Sequence, residues 1–339
     1  MSWRRRHWVL AGAAAAGAVA LTAGFVVTHD PAPGALVIRA TLDGQAADLK
    51  KKLAAHDPDG VVEQLDLAYG ARAANRLDVY RPAGARGELP AVVWLHGGGW
   101  VAGDKADWAT YYRLLANAGF AVVAVNYSRA PESAYPVPVR EANAALGYVR
   151  RHARRLGADP GRLVLAGDSA GAQLAAQVAA LTTNPSYARG LRIAPAVPAS
   201  VLRGTVLDCG AYDLMPYVRG DDHPDRILDF AVSQLLWAYT GTNDPASPVF
   251  PQMSVIDHVT SAFPPSFITG GNADPLTDRH SRPMAQRLRE LGVAVDALLY
   301  PADHEPRLGH EYQLDLDTDA GQTALARTIA FLHDATAPQ

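Results

Sequence analysis

Residues 163–171 read Leu-Val-Leu-Ala-Gly-Asp-Ser-Ala-Gly. A short apolar run ends in Gly167-Asp168-Ser169-Ala170-Gly171 and opens at once into an Ala-rich helical stretch. Strand, sharp turn and helix, with a serine at the turn, is an order few folds supply. A turn that tight holds the serine in strained backbone geometry and lifts its hydroxyl above the sheet. Side chains at Gly167 and Gly171 would clash there, so both flanks need glycine. The alternative is a glycine-rich helix start with a capping serine. Read as the turn, the motif names Ser169 as a nucleophile.

Upstream, Pro90-Ala91-Val92-Val93-Trp94-Leu95 is an apolar run suited to a buried parallel strand. It ends in His96-Gly97-Gly98-Gly99-Trp100. Three glycines in a row let backbone N–H groups converge on one space. Acyl transfer needs such donors, because the carbonyl oxygen becomes an oxyanion in the tetrahedral intermediate. The amides of Gly97 and Gly98, with that of Ala170, are the expected oxyanion hole. A phosphate-cradling loop is the competing reading, and no Gly-Lys-Ser/Thr follows to support it. His96 is read as structural, holding the loop through its side chain.

Together the two motifs resemble the α/β-hydrolases, in particular the hormone-sensitive-lipase-like esterases with their His-Gly-Gly-Gly loop. Trp100-Val101-Ala102-Gly103-Asp104-Lys105 and Val125-Asn126-Tyr127-Ser128-Arg129-Ala130-Pro131-Glu132 resemble segments of the bacterial acetyl-esterase-like branch. The likeness covers roughly residues 60–335. One departure is that Ala172 and Gln173 follow Gly171, where many members carry a further glycine. The resemblance implies an α/β fold with a mostly parallel central sheet flanked by helices and a small cap insertion. It also implies a serine carboxylesterase of short acyl chains, working through an acyl-enzyme without cofactor or metal. Another acyl hydrolase (amidase, formamidase-like enzyme, peptidase or lipase) or a non-catalytic binding protein on the same fold are the alternatives.

A serine hydroxyl attacks only when a histidine removes its proton, and a carboxylate must orient that histidine. In this fold the order is Ser, then Asp or Glu, then His. Phe267-Ile268-Thr269-Gly270-Gly271 reads as a strand with a glycine turn, followed by Asn272-Ala273-Asp274-Pro275-Leu276. Asp274 is the expected acid, matching the family's Asp-Pro-Leu motif. Its bland reading is an Asx turn before Pro275, and Asp278 is the substitute. For the base, His310 in Leu308-Gly309-His310-Glu311-Tyr312-Gln313 resembles the family's segment before the final helix. His304 is the fallback.

Composition narrows the partners. Net charge is −3, with no basic stripe, so nucleic acid is not expected. A small-molecule ester is the expected partner. The single cysteine, Cys209, excludes an intrachain disulfide framework and a cysteine zinc site. It reads as a buried core thiol. Residues 1–30 look different. A basic start, Arg4-Arg5-Arg6, precedes an uncharged apolar run from Trp8 to Val27. That is a signal peptide or an N-terminal membrane anchor, which places the catalytic domain outside the cytoplasm, secreted or anchored.

Residues 31–60 are read as a linker, Thr28 to Gly34, and a small pre-domain or cap helix at Ala46 to Ala55. The catalytic domain is 61–339. Val61–Leu67 and Leu77–Tyr80 are expected as an antiparallel pair at the sheet edge. Further strands are expected near 91–95, 121–125, 163–167, 202–207, 266–270 and 295–300. Helices are expected between them near 106–118, 138–156, 170–182, 279–291 and 319–334, an alternation that means a covered parallel sheet. Residues 211–260, with scattered aromatics, break the alternation and are read as a cap insertion over the site.

Overall fold

The computed structural model describes residues 30–219 and 226–338. Residues 1–29, read above as a signal peptide or membrane anchor, and part of the insertion therefore lie outside the described residues. Eight strands form one sheet: β1 (Val61–Ala68), β2 (Arg76–Pro82), β3 (Leu89–Leu95), β4 (Ala121–Val125), β5 (Ala158–Asp168), β6 (Leu202–Asp208), β7 (Ser266–Gly270) and β8 (Val295–Leu299). Their order is β1-β2-β4-β3-β5-β6-β7-β8. The pairs β1–β2 and β2–β4 are antiparallel, and every later pair is parallel. The antiparallel edge falls where the sequence put it.

The chemistry of the strands follows their place in the sheet. Residues 91–95 of β3 and all of β4 are buried, and both read as unbroken apolar runs because helices cover both faces. Edge strand β1 is half-exposed instead. The helices are α1 (Ala32–Leu53), α2 (Ala109–Asn117), α3 (Val137–Arg151), α4 (Ala170–Thr183), α5 (Arg226–Thr240), α6 (Arg282–Glu290) and α7 (Asp319–Thr336), besides shorter turns. All 14 residues of α4 are buried. Its run of alanines lets it lie close against both the sheet and α3.

Three boundaries differ from the sequence reading. Strand β5 begins at Ala158, well before the expected Leu163, and shows a register shift at its β6 pairing between Leu163 and Val164. The expected helix at 138–156 stops at Arg151, and a separate turn, Ala153–Leu156, closes on Gly157 at φ 65. The largest difference is α1. It starts directly after Pro31, inside the segment read as linker. Proline is well tolerated in the first helical turn, where its missing N–H has no partner to lose. The Pro and Gly that looked like linker punctuation therefore begin a helix.

Helix α1 packs on α5, so the cover over the sheet's carboxyl edge is built from two distant parts of the chain. A β-carbon on Gly34 would lie 2.9 Å from Gln234 Oε1, which shows how closely the two helices meet. Arg39 ties α1 down. Its guanidinium donates to Val101 O at 2.5 Å, to Ala130 O at 2.6 Å and to both oxygens of Glu132. Leu235 of α5 stands over Gly99, and Tyr239 stacks on Trp100 with centroids 5.0 Å apart. No helix among the described residues is long and apolar enough to cross a membrane.

Candidate active site

Parallel register gathers the site. Leu95 of β3 pairs with Gly167 of β5, so the His96 loop and the Ser169 turn leave the sheet side by side. Asp168 pairs with Asp208, and Gly270 pairs with Leu299, so the loops after β6, β7 and β8 emerge at the same edge. Open α/β sheets present functional groups at this carboxyl edge.

Ser169 has φ 51 and ψ −119, a costly backbone conformation for a residue with a β-carbon. Its N–H donates to Asp208 O at 2.8 Å, which helps hold the turn. The flanking glycines are a steric requirement. A β-carbon on Gly167 would come 2.5 Å from the Gly171 carbonyl carbon, and one on Gly171 would strike the Leu95 and His96 carbonyls.

Ser169, His310 and Asp274 come together. His310 Nε2 is 2.9 Å from Ser169 Oγ, and His310 Nδ1 is 3.0 Å from Asp274 Oδ2. Asp274 is buried at 4% exposure, while the His310 side chain is 37% exposed at the mouth of the site. The Asx turn is also present: Asp274 Oδ1 accepts the Leu276 N–H at 2.9 Å. One carboxylate thus serves both readings, one oxygen in the turn and the other on the imidazole. Asp278 pairs with Arg282 at 3.1 Å and is not at the site. His304 packs on Tyr300, centroids 4.4 Å apart, and lines a separate hollow with Glu305 and Asp317.

Electrostatics stabilise the imidazolium that forms when His310 takes a proton. Loss of hydration acts against it, while Cys209 and Asp274 act for it and raise the pKa above that of a free histidine. Burial pushes the Cys209 thiol up to about 11. It is therefore neutral near pH 7, and Asp274 supplies the charge that matters. Among the described residues, Cys209, Asp274 and His310 bring ligand-type atoms within 4.8 Å of one another. With the thiol protonated and His310 Nδ1 bonded to Asp274, this grouping is a hydrogen-bonded cluster and not a metal site.

The glycine loop corrects one expectation. The Gly97 N–H donates to Asp168 Oδ2 at 2.9 Å, so it is not free to face a substrate oxygen. Gly98 and Gly99, at φ 97 and φ 57, turn the chain onward, and their N–H groups meet no acceptor among the described residues. Gly98 needs its glycine: a β-carbon there would lie 2.5 Å from the Ala102 carbonyl group. His96 is structural as read. Its Nδ1 is 2.9 Å from Gly97 O, and its ring stacks on Tyr127 with centroids 4.3 Å apart. Burial drives its pKa down to about 4, so it is a neutral donor to that carbonyl.

Sequence reasoning gave no role to Asp168, Trp94 or Glu311. Asp168 lies under the loop, taking Trp94 Nε1 at 2.7 Å and Trp108 Nε1 at 3.2 Å. Its position in the Gly-x-Ser-x-Gly motif was visible, but its partners come from β3 and the segment before α2. Glu311, next to His310, lines the same cavity of about 70 Å³ as Ser169 and Gly97–Gly99.

The alpha/beta hydrolase fold family matches residues 92–305. The chain belongs to the α/β-hydrolase family. This hydrolase is 31% identical to carboxylesterase NlhH of Mycobacterium tuberculosis over 91% of its length and 92% of the relative. It is 29% identical to the versiconal hemiacetal acetate esterase of Dothistroma septosporum over 74% of its length and 75% of that protein. Among solved structures, the hyperthermophilic esterase of Pyrobaculum calidifontis superposes with TM-score 0.69 at 26% identity, covering 88% of this chain and 91% of that one. Esterase B of Lactobacillus rhamnosis, inhibited by a tributyrin phosphonate, superposes with TM-score 0.76 over 91% of this hydrolase and 96% of that chain. At 21% identity that last likeness speaks for the fold alone.

Proposed function

We propose that this hydrolase is a serine carboxylesterase of short acyl chains. The observation that carries the reading is the continuous relay from Ser169 Oγ to His310 at 2.9 Å and from His310 to Asp274 at 3.0 Å. Ser169 attacks the ester carbonyl while His310 Nε2 takes its proton. Asp274 holds the Nδ1–H tautomer and balances the imidazolium. The amides of Gly98, Gly99 and Ala170 receive the oxyanion, with Gly97 anchoring the loop from behind. His310 then protonates the leaving alcohol. Water, deprotonated by the same imidazole, hydrolyses the acyl-enzyme and restores Ser169.

A cavity of about 70 Å³ beside Ser169 supports short acyl groups. Leu235 over Gly99 and the Trp100–Tyr239 stack close in on the glycine loop from the cover side. The carboxylesterase and acetate esterase names of the relatives point the same way. The basic start and apolar run at residues 8–27 support export, which fractionation of cells expressing the full chain tests.

Hydrolysis of p-nitrophenyl esters across acyl lengths tests the activity. Activity peaking at acetyl or butyryl, lost in Ser169→Ala and His310→Ala and kept in His304→Ala, is the expected result. Wild-type rates in Ser169→Ala would overturn it. Hydrolysis of amides in preference to esters would move the reading to an amidase.

A further inference from the structure

Beside the triad stands a second pair of acidic side chains that the acyl-transfer steps do not use. Asp168 is fully buried. Its Oδ1 accepts Trp94 Nε1, and its Oδ2 accepts both the Gly97 N–H and Trp108 Nε1. The Glu311 carboxyl stands beside it, close enough for the two acids to interact. Both acids crowd the same glycine: a β-carbon on Gly97 would run into Asp168 Oδ2 and lie 3.1 Å from Glu311 Oε1.

Two neighbouring acids, one of them fully buried, resist ionising together, so one tends to keep a proton. Which one follows from the donors. Three N–H groups converge on Asp168 and favour its charged form. No N–H group among the described residues donates to the Glu311 carboxyl, so Glu311 keeps the proton. The backbone carries a further mark. Glu311 sits at φ 60, a conformation that costs about 1–3 kcal/mol for a residue other than glycine. The surrounding fold must hold it there, and it places the side chain beside Gly97 and Asp168.

We propose that Glu311 is a positioning residue that works as a neutral acid. Its carboxyl O–H donates to Asp168, and the shared proton keeps Asp168 seated under Gly97. Through Gly97 it fixes the direction of the Gly98 and Gly99 amides. Ionised Glu311 repels Asp168 and places a negative charge beside the developing oxyanion, so the same proton is also an alkaline switch. The catalytic part of this inference rests on the acyl-transfer reading above.

The other titratable groups around Glu311 are accounted for. Burial and Asp168 raise Glu311 to about 8. Asp107, before α2 and facing Lys50 of α1, is raised to about 6, and Asp208 at the end of β6 to about 7, both chiefly by burial. Cys209 titrates near 11. Asp274 and His310 complete the surroundings. His310 acts with the opposite sign: losing its proton raises activity, whereas losing that of Glu311 lowers it.

The test uses the full chain as wild type, Glu311→Ala and Glu311→Gln. The kcat and KM for p-nitrophenyl acetate are measured from pH 6 to 10, corrected for spontaneous hydrolysis. Tryptophan fluorescence is titrated over the same range, because Trp94 and Trp108 both donate to Asp168. The expected wild type loses activity above pH 8 and shows a fluorescence transition there. Glu311→Ala lowers kcat about tenfold at pH 7 with little change in KM, the size of one lost hydrogen bond to a charged group. Glu311→Gln, whose amide donates as the neutral acid does, restores kcat to within about threefold and removes both the alkaline limb and the transition. An alkaline limb unchanged in Glu311→Gln, or a wild type without a fluorescence transition between pH 7 and 9, would overturn the proposal. If the wild type hydrolyses no ester, the esterase reading fails, and the fluorescence titration still decides the proton sharing.

Discussion

Asp168 Oδ2 accepts the main-chain N–H of Gly97 at 2.9 Å and so joins the residue before Ser169 to the loop that faces it. The Ser169 turn and the glycine loop are thereby one unit, and a change at Asp168 moves both.

Asp168→Asn tests that unit. The amide can accept at one atom only, so at least one of the Trp94, Trp108 and Gly97 donors faces an NH2 group. Leaving a buried donor unpaired costs about 1–3 kcal/mol of stability. Misaimed oxyanion amides lower kcat by roughly 10²-fold. Denaturant unfolding and steady-state kinetics check the two effects, and a variant with wild-type values in both would show that Asp168 is not the anchor.

Ser169→Gly separates strain from function. Serine at φ 51 is strained where glycine is not, so the variant gains up to about 1 kcal/mol of stability after the glycine entropy cost. It also loses essentially all ester hydrolysis, roughly 10⁶-fold in kcat for a lost nucleophile. Thermal unfolding that moves downward would mean the turn is not under strain.

Asp274→Asn should move the acid limb of the pH profile. Asp274 helps hold the His310 pKa above that of a free histidine. Removing its charge lowers that pKa, so the limb shifts to lower pH while kcat falls by about 10⁴-fold. The linkage has a definite sign. Because the folded pKa is raised, the His310 contribution to stability is complete below the unfolded value of about 6.5. It is lost as pH rises through the folded value. The stability gap between wild type and variant therefore narrows from pH 6 upward, which unfolding at several pH values measures.

Arg39→Ala releases α1. The two carbonyls of Val101 and Ala130 and the Glu132 carboxylate lose their shared partner. Hydrogen bonds to a charged donor are worth about 1.5–3 kcal/mol each, reduced here by partial exposure. The expected result is a higher KM for short esters and a weaker preference for acetyl over longer chains, with kcat within a few-fold of wild type. Equal changes in kcat for all chain lengths would place Arg39 in fold stability and not in the cover.

Much of the site was legible because its residues are fixed by local backbone demands. The Ser169 turn needs glycine at Gly167 and Gly171, and a three-glycine loop follows β3, so both motifs appear as short words in the sequence. Asp274 beside Pro275 and His310 before the last helix were readable from their segments. The alternation of apolar runs and helical stretches fixed the sheet and its antiparallel edge.

What stayed hidden depends on residues far apart in the chain. Gly97 could be assigned to the oxyanion only while Asp168, 71 positions away, was not known to hold its N–H. His310 was preferred to His304 from its segment alone, and its distance to Ser169 came only with the fold. The pairing of Asp168 with Glu311 required β5 and the loop after β8 to meet. Helix α1 was read as partly linker because its stability comes from packing on α5 and from Arg39, and not from its own sequence. The sequence by itself marked out the candidate catalytic residues, since strained turns and glycine loops leave local marks. The tertiary structure decided which amides are free, which acids meet beneath the glycine loop and what covers the site, because hydrogen-bond partners and burial are set only when distant segments pack together.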